Sequence, residues 1–328
     1  MQSLVLATLA FTLVACSSAT EPSGALSEKE RPLATPSAPA GQMHVTTAAT
    51  GRRPWSQVHN FVYWLSYPDL RAIGQRPFEL AVIDYSGDGT EGAEFSSQQI
   101  AGLKEESCSR RVLAYLSIGE AEDYRWYWSP GWRIGSPAWI VRENPRWQGN
   151  YLVRYWDPDW QRIVFRYLDR IIAQGFDGVY LDIVNAYQEN YAEDREADMV
   201  EFVSAIAGYA RSRSALGEDF GVFIQNAEEL AANPSLLAVV TGIGREETYF
   251  FDTDQPIGEQ NLREAESYLD RFRAAGKLVL TVDYATKATN VENAYLRSRA
   301  KGYVPYVTSV ELDRLTISPG YEPQCRPF

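Results

Sequence analysis

Histidine and cysteine are scarce in this chain of 328 residues. Two histidines, His44 and His59, exclude a histidine-rich zinc site or an HExxH protease and leave few ways to build a Ser–His–Asp triad. The three cysteines include no CxxC pair of the kind that binds metal or exchanges disulfides. We therefore expect neither a metal nor a cofactor.

Basic residues are also outnumbered. Lys and Arg number 31 against 43 Asp and Glu, which gives a net charge of −12. Binding to a phosphate backbone needs clustered cations, so a nucleic-acid partner is disfavoured, whereas neutral or cationic partners are favoured. The content of 45% hydrophobic and 23% charged residues is typical of a globular protein and excludes a disordered or a polytopic membrane chain.

The N-terminus has the composition of an export signal. The apolar run over residues 4–15 is shorter than the roughly 20 residues that span a bilayer, and it matches the hydrophobic region of a secretory signal. Leu13-Val14-Ala15-Cys16 resembles the bacterial lipobox, which predicts a signal peptide over residues 1–15 and lipidation of Cys16. A plain signal peptide without lipidation is the alternative, and the absence of Lys and Arg from residues 1–15 departs from the usual pattern.

Residues 16–50 then form the predicted linker. Residues 17–50 contain no aromatic residue and are rich in Ser, Ala, Thr and Pro, a composition that cannot bury enough apolar surface to order itself. We expect a flexible tether and an exported lipoprotein of the bacterial cell envelope, held to the membrane through Cys16, or a secreted protein. In a double-membraned bacterium, Ser17 after the cysteine would direct it to the outer membrane.

From residue 51 onward, apolar segments of the β type alternate with helical patterns. Strands are predicted at 58–66, 80–86, 112–120, 178–184, 221–227, 238–247, 277–285 and 303–310. Helices are predicted at 97–107, 159–174, 192–214, 260–275 and 290–301. Such alternation is typical of a parallel sheet covered on both faces, so residues 51–328 are predicted to form one (β/α)8 TIM barrel domain. An open doubly wound sheet is the alternative, but no GxGxxG follows the first strand and no GxxxxGK[ST] is present.

Polar side chains mark the carboxyl ends of these strands, where barrel enzymes carry their active sites. They are Asp84, Glu120, Asp182, Asn226, Glu246 or Glu247, and Asp283. Alternation along the strand turns Asp182 toward the barrel mouth. The same rule turns Glu246 inward and Glu247 toward the helix layer or solvent, although two nearby glycines would permit a bulge.

Tryptophan is concentrated between the third and fourth predicted strands. Seven of the nine lie in 121–177: Trp126, Trp128, Trp132, Trp139, Trp147, Trp156 and Trp160. The segment can pack on itself as a cap, but flat aromatic rings also suit the C–H faces of pyranose sugars. We expect at least two of these tryptophans to contact a ligand, and Trp126 and Tyr85 are the candidates for stacking.

Carboxylates in a cleft lined by Trp and Tyr favour glycoside hydrolysis. That reaction uses one acid to protonate the leaving oxygen and a second carboxylate as nucleophile or base. A polysaccharide deacetylase would need a metal held by histidines, and His59 is the one histidine outside the tether. A non-catalytic surface lipoprotein that binds polysaccharide stays open as the alternative function.

Four motifs resemble glycoside hydrolase family 114, the endo-α-1,4-polygalactosaminidase-like group. They are YLSIGEAE at 115–122, RYWDP at 154–158, GFDGVYLD at 175–182 and GYVPYV at 302–307. The resemblance implies a (β/α)8 barrel whose catalytic Asp follows the fourth strand and whose catalytic Glu follows the sixth. Those positions correspond to Asp182 and to Glu246 or Glu247. The resemblance further implies a galactosamine-containing polymer as the substrate, which is cationic when de-acetylated.

The expected reaction has Asp182 as nucleophile and Glu246 as acid, with retention of configuration, endo action and a carboxyl spacing of ~5–5.5 Å. Asp84, Glu120, Asn226 and Asp283 are expected to bind sugar hydroxyls or ammonium groups. Cys108 and Cys325 either pair in an oxidising envelope or remain thiols. The protein is expected to be a monomer.

Overall fold

Eight parallel strands form the centre of the computed structural model, which describes residues 51–105 and 108–328. The strands, in chain order, are β1 (Phe61–Trp64), β2 (Leu80–Ile83), β3 (Arg111–Ser117), β4 (Glu120–Glu122), β5 (Ile140–Glu143), β6 (Asn150–Val153), β7 (Gly178–Asp182), β8 (Gly221–Gln225), β9 (Gly242–Glu246), β10 (Phe250–Phe251), β11 (Gln255–Pro256), β12 (Leu278–Tyr284) and β13 (Val304–Thr308). The α-helices are α1 (Leu70–Gly74), α2 (Ser97–Glu105), α3 (Pro158–Gln174), α4 (Glu196–Arg213), α5 (Pro234–Val239), α6 (Glu259–Ala274) and α7 (Ala288–Lys301). The predicted signal peptide, Cys16 and the tether lie outside the described residues.

The large sheet curves into a nearly closed barrel. Its strand order is β1-β2-β3-β7-β8-β9-β12-β13, every neighbouring pair is parallel, and β1 lies against β13. The predicted (β/α)8 barrel is therefore confirmed. Its strands fall within the eight predicted segments or within one residue of them. The largest departure is at 238–247, where the first two residues belong to α5 and the strand begins at Gly242.

Aromatic side chains fill the inside of the barrel. The rings of Phe61 and Tyr306 have centroids 5.5 Å apart, and those of Tyr63 and Tyr180 lie 5.3 Å apart. All four side chains are at most 2% exposed. Because side chains of parallel barrel strands alternate between the interior and the helix layer, these rings lie directly below the residues at the carboxyl ends of the strands.

Helix α3 shows how the local sequence sets the helix layer. Asp157 caps its N-terminus by accepting a hydrogen bond from the Asp159 backbone N–H over 2.9 Å, and Pro158 occupies the first turn. Gly175, with a φ of +84°, ends the helix in a left-handed conformation. The buried face of α3 includes Trp160, whose indole N–H donates to the Ile118 carbonyl over 2.8 Å and ties the helix to the end of β3.

The segment 121–177 contains an antiparallel sheet that periodicity did not predict. Strand β6 pairs with both β4 and β5. Most of the tryptophans pack beside it: Trp132 contacts Trp139 at 5.0 Å, and Trp139 contacts Trp160 at 5.2 Å between ring centroids. This insertion builds one wall above the barrel mouth.

The C-terminal residues are fastened to the barrel at the amino ends of its strands. Cys108 and Cys325 form a disulfide, so of the two alternatives for these cysteines the structure contains the paired one. Arg53 donates to the carbonyls of Cys108 and Arg326 and pairs with buried Glu79 at 3.2 Å. Within residues 51–105 and 108–328 no helix has the length and apolar character needed to cross a bilayer.

Candidate active site

A cleft of about 1010 Å³ opens at the carboxyl ends of the barrel strands. Six of the predicted residues line it together: Asp84, Glu120, Asp182, Asn226, Glu246 and Glu247. Five of them end or follow β2, β7, β8 and β9, and Glu120 begins β4 shortly after the end of β3, so their meeting is a direct consequence of the parallel barrel.

Asp182 is the last residue of β7 and lies on the floor of the cleft. Its carboxylate accepts hydrogen bonds from the Tyr115 hydroxyl and from the Ile183 backbone N–H, both over 2.7 Å. Ile183, which donates the second bond, adopts a left-handed φ of +56° as the chain leaves the strand. Burial raises the pKa of Asp182 to about 6, while these two donors work against the rise.

Glu246 is the last residue of β9 and faces the same floor. Its carboxylate accepts hydrogen bonds from the Tyr284 hydroxyl and the Gln225 amide, with a longer contact of 3.4 Å from the Asn226 amide. Burial raises the pKa of Glu246 to about 7, and the negative charge of Asp182 raises it further. A carboxyl group in this setting keeps its proton close to neutral pH.

Tyr180 and Gly244 form the layer beneath the two acids. The Tyr180 hydroxyl has no hydrogen-bond partner among the described residues. A β-carbon on Gly244 would lie 1.7 Å from that hydroxyl oxygen, so only glycine fits opposite Tyr180. Burial raises the pKa of Tyr180, and the nearby charges of Glu246 and Asp182 raise it further.

Glu247 lines the cleft beside Glu246, contrary to the expectation that it would project toward the helix layer or solvent. Strand β9 ends at Glu246 and Glu247 adopts a left-handed φ of +51°, so simple alternation no longer applies. Arg245 holds this turn: its guanidinium donates to the Glu246 carbonyl at 3.2 Å and to the Glu247 carbonyl at 2.8 Å. Glu228 pairs with the same guanidinium at 2.7 Å.

Asp84 and Glu120, the two other predicted acids that line the cleft, already have protein partners. Arg125 pairs with Asp84 at 2.7 Å and with Glu122 at 2.6 Å, so the Asp84 carboxylate is committed to a buried ion pair. Burial raises the pKa of Asp84 while Arg125 opposes the rise. Glu120 accepts a hydrogen bond from the Asn144 amide over 2.7 Å, and burial raises its pKa to about 7.

Three predicted ligand-binding residues lie outside the cleft lining, and these expectations are corrected. Tyr85 is fully buried, with its ring 4.7 Å from that of Tyr167. Trp126 packs inside the insertion, and the Arg170 guanidinium covers its ring at 4.1 Å. Asp283 is buried and accepts the backbone N–H groups of the two residues at 249–250 over 2.6 and 2.9 Å. Its pKa is raised by burial to about 7.

The structure adds residues that sequence reasoning missed. Tyr115, Gln225 and Tyr284 contact the two acids, and alternation along β3, β8 and β12 could have identified them as inward-facing positions. Tyr67, Tyr124 and Trp147 line the cleft. All nine tryptophans are among the described residues, and of these only Trp147 lines the cleft.

No three His, Cys, Asp or Glu side chains within 51–105 and 108–328 lie where they could hold a metal ion. Carboxyl groups, phenols and amides line the open cleft.

Comparison with known proteins identifies relatives over most of the chain. The sequence model of glycoside-hydrolase family GH114 matches residues 44–324. The chain is 41% identical over 251 residues to an uncharacterised protein of Deinococcus radiodurans, covering 76% of this chain and 79% of that protein. A protein of Methanocaldococcus jannaschii is 40% identical over 272 residues, covering 78% and 77% respectively.

Two solved structures share the fold. The glycoside hydrolase domain of PelA from Pseudomonas aeruginosa gives a TM-score of 0.61 at 21% identity, over 79% of this chain and 98% of that one. Ega3 from Aspergillus fumigatus, crystallised in complex with galactosamine, gives 0.59 at 19% identity, over 78% and 93%. At these identities the likeness establishes the barrel fold.

Proposed function

This chain belongs to glycoside-hydrolase family GH114, and we propose that it hydrolyses a galactosamine-containing polysaccharide with Asp182 and Glu246. The observation that carries the proposal is the pair of half-buried carboxyl groups with raised pKa values on the floor of one cleft. Pairs of acids whose surroundings separate their pKa values are how glycosidases obtain a proton donor and a nucleophile from the same residue type.

The lower pKa supports Asp182 as the nucleophile, because burial raises the pKa of Asp182 to about 6 and that of Glu246 to about 7. Tyr115 and the Ile183 backbone N–H both stabilise its ionised form. Asp182 attacks the anomeric carbon while Glu246 transfers its proton to the leaving oxygen. Glu246 then takes a proton from the water that cleaves the glycosyl ester on Asp182. This route retains configuration and needs a carboxyl spacing of ~5–5.5 Å.

The charge of the cleft supports an amino-sugar substrate. Ten acidic and three basic side chains line it, and the whole chain carries −12. A negative cleft concentrates cationic ligands, and de-acetylated galactosamine units carry ammonium groups. The galactosamine bound to Ega3 supports the same class of sugar. The size and openness of the cleft support endo action on a polymer.

The test is to incubate the enzyme with a panel of galactosamine oligosaccharides and N-acetylated counterparts, and to identify products by mass. Asp182→Ala and Glu246→Gln should each lower turnover by roughly 10³-fold or more. Glu247→Gln, one residue away, is the matched control and should retain more activity. NMR of the first-formed anomer should show retention.

Three outcomes would contradict this proposal. Full activity of Asp182→Ala would exclude the mechanism. Loss of activity in Glu247→Gln together with near-normal activity of Glu246→Gln would assign the role of the acid to Glu247. Binding of polysaccharide with no product from any substrate would favour the non-catalytic binding protein.

We also propose that the protein is exported and anchored by lipid on Cys16. The Cys108–Cys325 disulfide supports an oxidising compartment, because such bonds are rare in the cytosol of mesophiles. Cys16→Ser should move the protein from the membrane fraction to the soluble fraction, whereas Cys108→Ser should not. Unchanged fractionation of Cys16→Ser would exclude the anchor.

A further inference from the structure

Three aromatic side chains at the rim of the cleft are exposed. Seven large hydrophobic side chains are exposed in the part of the chain that the structure describes, and three of them line this one cleft. They are Tyr67, Tyr124 and Trp147, exposed by 74%, 42% and 50%. Clustered exposed rings of this kind mark binding surfaces rather than the ordinary scatter of single hydrophobic residues.

Tyr67 is held in an unfavourable backbone conformation. Its φ is +55°, a left-handed value that residues with a bulky side chain rarely adopt. The loop that carries it is fastened to the loop after β13, because the backbone N–H groups of Leu65 and Ser66 both donate to the Leu312 carbonyl, at 2.9 and 3.0 Å. Strain that surrounding contacts maintain at an exposed cleft residue is typical of a functional position.

Tyr124 is fixed by contacts of its hydroxyl and of its ring. Its hydroxyl donates to Glu122 over 2.6 Å, and the Arg125 guanidinium lies 4.9 Å from its ring centroid. A β-carbon on Gly89 would lie 2.8 Å from the ring, so the absence of a side chain there lets the tyrosine sit against the loop after β2. The ring is thus positioned before any ligand arrives, which lowers the entropic cost of binding.

Trp147 lies in the turn between β5 and β6, on the wall formed by the insertion. Its turn is anchored from below, because the Glu120 carboxylate accepts the Asn144 amide at 2.7 Å and the Asn150 amide at 3.5 Å. Arg146, next to it, reaches the β10–β11 hairpin through Asp252 at 3.8 Å. The tryptophan is therefore carried on a braced turn while half of its surface stays open.

We propose that Tyr67, Tyr124 and Trp147 are sugar-stacking subsites that bind the pyranose rings on either side of the scissile bond. Aromatic rings bind the C–H faces of sugars, and three rings from three separate loops around one cleft suit a chain of several sugars better than a single unit. The inference rests on the proposed function, since the chain that stacks here is the one that Asp182 and Glu246 cleave. Stacking on all three rings makes the length of the oligosaccharide a determinant of its affinity.

The experiment measures binding in an Asp182→Asn background, so that no substrate is consumed. Galactosamine disaccharide and octasaccharide are titrated by calorimetry against this parent and against three further variants. Trp147→Ala and Tyr67→Gly should each weaken octasaccharide affinity about 3- to 10-fold and disaccharide affinity less. Phe328→Ala, an exposed aromatic at the opposite end of the barrel, is the matched control and should change neither.

Tyr67→Gly separates a binding role from a structural one. Glycine accepts the left-handed φ without strain, so this variant should keep or gain thermal stability while it loses affinity. If Tyr67 had only a structural role, Tyr67→Gly would lower thermal stability and affinity together. Tyr67→Phe keeps the ring and should retain most of the octasaccharide affinity. Tryptophan fluorescence should change on octasaccharide binding in the parent and much less in Trp147→Phe.

The outcomes distinguish failure of the subsites from failure of the proposed function. If the parent prefers the octasaccharide but both Trp147→Ala and Tyr67→Gly bind it as tightly as the parent, the subsite proposal is overturned. If the parent binds neither oligosaccharide and the wild-type enzyme releases no product, the galactosamine specificity is overturned and the subsites with it.

Discussion

Each of the two candidate catalytic carboxylates accepts a hydrogen bond from a tyrosine hydroxyl. Tyr115 donates to Asp182 over 2.7 Å, and Tyr284 donates to Glu246. A donor stabilises the ionised form, so each tyrosine lowers the pKa of its partner against the rise caused by burial. At the scale of single residues, these two hydroxyls adjust the pH range, set mainly by burial, in which one acid is ionised and the other protonated.

The first prediction concerns the pH dependence of kcat/KM. Tyr115→Phe should raise the pKa of Asp182 and move the acidic limb upward by about one pH unit, because the nucleophile must be ionised. Tyr284→Phe should raise the pKa of Glu246 and move the basic limb upward by a similar amount, because the acid must be protonated. Tyr115→Phe should therefore narrow the pH range of activity, and Tyr284→Phe should widen it.

Tyr209→Phe is the control for this pair, since its hydroxyl bonds to Asp169 on the outer helices. It should leave both limbs in place. A shift of the basic limb in Tyr115→Phe would exchange the roles of Asp182 and Glu246.

At the scale of elements, β9 is the strand that the site depends on most. Gly242 and Gly244 precede Glu246 on the inward face, and a β-carbon at Gly244 would collide with the Tyr180 hydroxyl from β7. Arg245 then holds the turn that follows the strand. The lack of a side chain at Gly244 makes room for the tyrosine that lies beneath both acids.

The second prediction is that Gly244→Ala destabilises the protein by about 3 kcal/mol or more, because Tyr180 or the strand must move. Gly208→Ala is the matched control: Gly208 is exposed within α4 and has open space around its α-carbon, so alanine there should stabilise by about 1 kcal/mol. Urea denaturation gives both values.

Adding Tyr180→Phe to Gly244→Ala removes the atom that the new β-carbon would meet first. This double variant should recover part of the lost stability. Equal stability of Gly244→Ala and the wild type would show that β9 and β7 do not pack as described.

At the scale of the whole molecule, folding gathers four carboxyl groups whose pKa values burial raises. Asp182 rises to about 6, and Glu120, Glu246 and Asp283 rise to about 7. Between their usual values near 4 and these values the folded state binds more protons than the unfolded state. The free energy of unfolding therefore decreases as pH rises through this window.

The third prediction is a loss of at least about 2 kcal/mol in the free energy of unfolding between pH 5 and pH 8. Glu246→Gln should reduce that loss and be more stable than the wild type at pH 8, while it abolishes turnover. Glu264→Gln, on the exposed face of α6, should follow the wild-type curve. Denaturant titration across the pH range measures all three, and a stability that increases up to pH 8 would contradict the burial of these acids.

The fold and the position of the two candidate catalytic acids could be predicted from the sequence because they depend on short-range patterns. Apolar runs and helical spacing predicted the eight barrel strands and five of the helices, and strand alternation placed Asp182 and Glu246 in the barrel mouth. A parallel barrel brings its carboxyl ends together whatever the details of packing, so five polar positions could be assigned to one cleft without knowing any contact.

Side-chain partners that come from distant parts of the chain were decided only by the tertiary structure. Asp84 is paired with Arg125, 41 residues away, and the backbone N–H groups at 249–250 satisfy the carboxylate of Asp283. Tyr85 and Trp126 are covered by residues of α3, while Tyr67 reaches the rim through a left-handed turn. The sequence by itself determined which residue types stand at the ends of the strands. Once the chain leaves a strand, alternation no longer applies, and the direction of each side chain depends on which distant group satisfies its charge or covers its ring.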